Sequence, residues 1–234
     1  MKNAHLAALI AAASAAMVAV PADAQRTGSR IGRSATAKDS GPAMQLVADC
    51  LVDRQPEMVR QLFTTLPGSA EERALVLRKT DEMGTCMEND RNLVLDGKFL
   101  RFSARAIRTP LAKALIRKML PAAPRVSPAA VGSDPWFLAH YNALPPKAEV
   151  SRQHLNLLDF GHCVAVKNWA DTRAFLVSQP ESAEEAAAVR KIVPVLGPCM
   201  LEGMTVQLTP SVLRDALAEP VYQILVAAPA ATAK

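Results

Sequence analysis

Four cysteines are the residues of this chain most suited to chemistry, and their spacing decides which chemistry. Cys50 and Cys86 lie 36 residues apart, as do Cys163 and Cys199. No C-x-x-C knuckle accompanies them, so they read as disulfides rather than as a zinc site. His162 stands beside Cys163, where it could activate a thiolate or complete a metal pair; a disulfide at Cys163 removes both roles. Asp49 occupies the matching place beside Cys50, so the pair is not repeated. Glu71-Glu72 and Glu184-Glu185 have the composition of an acid/base dyad. Adjacent residues on a helix point in different directions, however, and acids collect at helix starts, so both pairs read as caps. Met83, Met87, Met200 and Met204 could supply thioethers to copper, but at helical spacing they read as core filler. No P-loop, G-x-S-x-G, H-E-x-x-H or dinucleotide fingerprint occurs. Neither a cofactor nor a metal is expected.

The remaining chemical set is basic. From Gly97 to Ser133 there are eight Lys or Arg and no Asp or Glu. Arg101, Arg105 and Arg108 recur at i, i+4 and i+7, which places them on one helix face; Lys113, Arg117 and Lys118 extend it. The corresponding stretch of the second half has Arg214 but also Asp215 and Glu219. Such a face either is simply solvated or meets an anionic surface of the cell envelope or an acidic protein.

These residues sit in an internal duplication. Sliding the chain on itself by 113 residues superposes both cysteine pairs. It also places Pro67, Ser69, Ala70, Glu71 and Glu72 on Pro180, Ser182, Ala183, Glu184 and Glu185. From 50 to 101, 15 of 52 ungapped positions are identical, about 29%. The repeat is therefore the structural unit. It favours one bridge within each repeat, Cys50–Cys86 and Cys163–Cys199; the alternative symmetric pattern is Cys50–Cys163 with Cys86–Cys199.

The expected organisation follows the chain. Residues 1–24 read as a signal peptide: Lys2, an apolar run from Leu6 to Val20, and cleavage after Ala24 in Ala22-Asp23-Ala24. Export to the periplasm or beyond makes disulfides persistent and disfavours a nucleic-acid partner. Residues 25–43 read as a flexible lead-in, 44–120 as helical repeat 1, and 121–150 as a Pro-rich connector docked through Trp136, Phe137, Leu138 and Tyr141. Residues 151–226 read as helical repeat 2 and 227–234 as a disordered tail. No segment of the mature chain is long and apolar enough to span a bilayer.

Ala, Leu and Val dominate the composition, with 4% aromatics and 10 Gly in 234 residues. No alternating β-branched runs occur, so the expected class is all-α: two tandem four-helix repeats, each stapled by one disulfide and packed together. Pro56 opens the second helix of repeat 1. Ser69 and Glu72, and likewise Ser182 and Glu185, spell capping boxes for the third, in which the glutamate reaches back to the serine amide. Asp96 in one repeat and Thr209-Pro210 in the other open the fourth, which Pro110 is expected to kink or split.

The pattern Cys, Pro-Gly-Ser-Ala-Glu-Glu, Gly-x-Cys-Met, then Leu-Arg with an Ala-rich helix resembles a group of uncharacterised exported helical-repeat proteins of Gram-negative bacteria. The resemblance covers roughly 44–120 and 157–226. It implies export and repeat architecture, and no activity. The expected function is accordingly a non-enzymatic exported protein that binds another envelope component through Arg101, Arg105, Arg108, Lys113, Arg117 and Lys118. The rival is an enzyme or small-ligand binder with its site in the groove between repeats.

Overall fold

A computed structural model describes residues 33–34, 37–79, 83–86, 98–99, 104–121, 132–204 and 208–227. Ten helices are present among them: α1 (Ala37–Arg54), α2 (Pro56–Leu62), α3 (Ala70–Arg78), α4 (residues 83–86), α5 (Ala104–Met119), α6 (Leu138–Asn142), α7 (Arg152–Lys167), α8 (Trp169–Val177), α9 (Ala183–Cys199) and α10 (Pro210–Ala227). Besides these, Arg33–Ser34 and Lys98–Phe99 form a two-residue parallel pair. Residues 1–24, Asp96 and 228–234 lie outside the described residues, as do the expectations that fall on them. None of the described helices is long and apolar enough to cross a membrane.

Local signals start and stop the helices as side-chain chemistry requires. Gln55 breaks the ladder and Pro56 restarts it as α2, where its missing N–H costs nothing. Ser69 Oγ accepts from Glu72 N–H at 3.1 Å, and Ser182 Oγ from Glu185 N–H at 3.1 Å. The reciprocal half of each box is displaced by one residue. Glu72 Oε2 accepts from Gly68 N–H and Glu185 Oε2 from Glu181 N–H, because Ser69 N–H and Ser182 N–H already donate to Leu66 C=O and Gln179 C=O. Removing either serine hydroxyl orphans a helix amide. Ser69→Ala and Ser182→Ala are each expected to cost about 1 kcal/mol in urea melts; melts indistinguishable from the parent would show that α3 and α9 are capped otherwise.

Three boundaries depart from the sequence expectation. Helix α1 begins at Ala37, inside the stretch read as a lead-in, so that Gly41 and Pro42 are helical and Ala43 and Met44 are buried. Once the buried turn at Ala43 and Met44 exists, extending it backward adds hydrogen bonds without a second nucleation cost. Pro110 does not split α5 into two elements; Ile107 and Leu111 on either side of it are buried and hold the helix. Helix α3 stops at Arg78, with α4 separate, whereas α9 runs unbroken through the matching residues despite Pro194 and Pro198.

Both disulfides pair as the duplication favours. Cys50–Cys86 ties α1 to α4, and Cys163–Cys199 ties α7 to the end of α9. Peptide mapping without reductant is expected to recover these two links and no other; free thiols in protein from an oxidising compartment would refute them.

Helices α5 and α10 lie against each other at the centre, with α1 against α5 and α7 against α10. One apolar core is continuous through all four, from Val47 and Leu51 through Leu111 and Phe160 to Leu217 and Ile224. A smaller cluster of Leu66, Phe137, Leu155 and Leu158, flanked by Trp136, Tyr141, Leu144 and Val150, holds residues 136–150 on the body.

Candidate functional site

Two places bring polar side chains together. The first is buried. Arg108 on α5 is 0% exposed, although an ordinary arginine is almost never inside unless paired. All five of its N–H groups are satisfied. Nε donates to Glu219 Oε2 at 2.8 Å, and Nη2 donates to Glu219 Oε1 at 2.7 Å and to Thr65 C=O at 2.9 Å. Nη1 donates to Leu62 C=O at 3.1 Å and Glu72 Oε1 at 3.0 Å. The guanidinium also lies 5.3 Å from the Phe63 ring centroid. His154 Nε2 stands 3.7 Å from the far side of Glu219. Burial alone would push the Glu219 carboxyl up, but the charge and hydrogen bonds of Arg108, with the nearby His154 imidazole, hold it below its usual value. The centre thus joins α3, α5, α7 and α10 and finishes the C-terminus of α2. Its acids and donors are all consumed and out of reach of solvent, so it does structural work.

The second place is a groove of about 1660 Å³ between α1 and α5 on one side and α8, α9 and α10 on the other. Its apolar lining is aliphatic, with Met44, Ile116, Leu176, Val177 and Val189 and prolines such as Pro110 and Pro180, and polar side chains such as Gln45, Thr109, Ser178 and Gln179 stand between them. No Phe, Tyr or Trp lines it among the described residues. Two ion pairs are built into it. Lys113 Nζ lies 2.9 Å from Asp215 Oδ1, joining the two halves. Arg214 Nη2 lies 2.6 Å from Glu185 Oε1, while its Nη1 donates to Leu176 C=O and its plane covers the Phe175 ring at 4.6 Å. The Arg214 hydrogen bond outweighs burial and keeps the Glu185 carboxyl below its usual range. The remaining charges lining the groove are Arg117, which pairs with Asp49 outside it, and Glu181 and Arg190. Glu181 and Arg190 are exposed, and no side-chain partner engages either among the described residues.

Of the six basic residues expected to share an exposed face, the described ones do not form a free cationic surface. Arg101 and the side chain of Arg105 lie outside what the structure describes. Arg108 is turned fully inward. Lys113 faces the groove with Asp215, Arg117 pairs with Asp49, and Lys118 pairs with Asp53. A spacing signal was available for Arg108: it follows Ala104 by four residues and precedes Leu111 and Leu115 by three and seven, which also puts it on the apolar stripe. Helix α5 is packed on several sides, so that stripe is wider than a surface helix would need.

His162 is 4% exposed with its Nε2 unpartnered, and Cys163 beside it is in a disulfide, so neither thiolate nor metal chemistry is open to the pair. Burial pushes the imidazole below its ordinary pKa, against the opposing pull of the Gly132 and Ser133 backbone and the Asp159 and Asp134 carboxylates. The unfolded chain therefore binds the proton more readily, and stability should fall as pH drops below about 6.5. Burial raises the Asp159 carboxyl, which acts with the opposite sign at lower pH. Thermal melts from pH 7 to pH 5.5 should show this loss in the parent and a flatter profile in His162→Gln; equal slopes would refute the assignment. Among the described residues no group of three or more His, Cys, Asp or Glu is placed to hold a metal ion.

No family model, curated protein or solved structure matches the chain.

Proposed function

We propose that this chain is an exported binding protein of the cell envelope, built from a duplicated four-helix unit, that holds a ligand in the groove between its halves. The observation that carries the reading is the groove itself: it is walled by both halves, and its apolar side chains alternate with polar ones, several of them fixed in ion pairs. Its volume of about 1660 Å³ exceeds the roughly 300–1,000 Å³ usual for small-molecule clefts, so the reading calls for a long or bulky ligand. The two disulfides suit an oxidising compartment outside the cytoplasm. Export by a cleaved signal peptide ending at Ala24 and a periplasmic location belong to the same proposal.

The groove is favoured over the basic face because the described members of that face are engaged within the chain. An exposed ion pair is worth little, so Arg117 and Lys118 could still exchange partners, but Arg108 could not without unfolding its surroundings. No nucleophile, base and orienting group converge in the groove, so a binding role is the better reading than catalysis.

Native mass spectrometry of the protein recovered from a bacterial periplasm tests the proposal. Co-purifying small molecules should be retained by the parent and lost from Val177→Trp, which fills the groove from its exposed wall. Retention by both, or by neither with no aliphatic probe able to bind, would overturn it.

A further inference from the structure

Glu181 is the one described non-glycine residue with a left-handed backbone, at φ 63°. Its counterpart in the first half is Gly68, at φ +79°, where the conformation is free of side-chain strain. Both residues do the same backbone work, donating N–H to the capping glutamate. Glycine would serve equally at 181, yet the chain keeps a carboxylate there under strain, and that carboxylate lines the groove. Arg190, further along α9, is the second departure. Its counterpart is Leu77, which is 74% exposed and has no charge. The two charges that residues 178–191 gain over their first-half counterparts are therefore the two charges of the groove with no ionic partner among the described residues.

We propose that the groove binds an amphiphile with a long aliphatic body and a zwitterionic head, its cationic amine held by Glu181 and its phosphate or carboxylate by Arg190. This rests on the reading of the groove as a ligand site. With Lys113 on Asp215, Arg214 on Glu185 and Arg117 on Asp49, one charge of each sign is left among the described residues, so a purely anionic or cationic head would leave one unmatched. Seven residues of helix separate Ala183 from Arg190, about 10 Å at 1.5 Å per residue, which the flexible arms of glutamate and arginine flank. The walls argue against a sugar or nucleobase, since no aromatic face is offered for stacking, and for an acyl chain, which asks only for apolar contact.

Isothermal titration of the disulfide-intact protein with single-chain probes below their micellar concentrations tests this. Myristoyl-lysophosphatidylethanolamine presents an amine and a phosphate, Nε-myristoyl-lysine an amine and a carboxylate, and myristoyl-lysophosphatidylglycerol a phosphate alone. At least one zwitterion should bind about tenfold more tightly than the anion, and which one identifies the anionic group. Glu181→Gln should erase that preference while leaving the anion's affinity unchanged or improved; Arg190→Gln should weaken all three. Glu181→Gly, which relieves the strain, provides a variant certain to tolerate the backbone and should behave like Glu181→Gln. Equal affinity for all three probes, unaltered by Glu181→Gln, would sink the zwitterion and leave the groove standing. Failure of every probe to bind, or equal binding to Val177→Trp, would sink the groove as well.

Discussion

Arg108→Met should lower stability by about 3–5 kcal/mol, because it keeps the side chain's volume and removes the one cation between two buried carboxylates. Glu72 is 0% exposed and Glu219 2%, and neither can reach water once the guanidinium is gone. The Thr65 carbonyl loses its Arg108 donor at the same time, whereas Leu62 C=O keeps those of Thr65 N–H and Oγ1. The loss should depend on pH in a particular sense. Without Arg108, the burial that already opposes ionisation of Glu219 loses its main counterweight and raises that carboxyl above its unfolded value, so the folded protein binds protons more readily. Stability of the variant should therefore rise as pH falls from 7 toward 5, relative to the parent. Adding Glu72→Gln and Glu219→Gln should recover much of the loss, since the uncompensated charges are then gone. Denaturant melts check all three; a single variant within about 1 kcal/mol of the parent at pH 7 would mean that the centre is hydrated or remade.

Gly161→Ala should cost about 3 kcal/mol or more, the upper range of overpacking, although alanine is the better helix former by up to about 1 kcal/mol. A β-carbon at 161 would stand 2.2 Å from Ala216 C=O and 2.9 Å from Pro220 Cγ. The backbone oxygen has no freedom to withdraw, being on a buried turn of α10. The same geometry explains why the glycine is there. Pro220 lacks the N–H that would bond Ala216 C=O within α10, and the bare Cα of Gly161 on α7 lets that carbonyl come close enough for a C–H···O contact. The expected readout is a lower urea midpoint with the two disulfides intact. A variant as stable as the parent would show that α7 and α10 can separate freely at this point.

Much of the scaffold could be read from local order. Period and caps are properties of adjacent residues, so Pro56, Ser69, Ser182 and Thr209 announced helix starts, and Val212 N–H indeed donates to Thr209 Oγ1 at 3.2 Å. Where a helix ends depends on what it packs against, which is why α1 reached back to Ala37 and α5 passed through Pro110. The groove was foreseen as a place but not as a set of residues. Glu181 and Arg190 could have been noticed among the positions where the second half gains a charge that the first lacks, opposite Gly68 and Leu77.

The chain by itself determined the all-helical class and the absence of a familiar catalytic motif and favoured the cysteine partners that the structure shows, because these follow from composition, spacing and the repeat of a unit along one dimension. Only the tertiary structure decided which cations are free. Arg101, Arg105 and Arg108 share a helical spacing, yet burial and partnership are set by neighbours more than 30 residues away in sequence: Glu72 for Arg108, Asp215 for Lys113, Asp49 for Arg117, Asp53 for Lys118. A charge on a helix costs little in water and a great deal inside, so its role is decided by the packing of the other helices around it and not by its own periodicity.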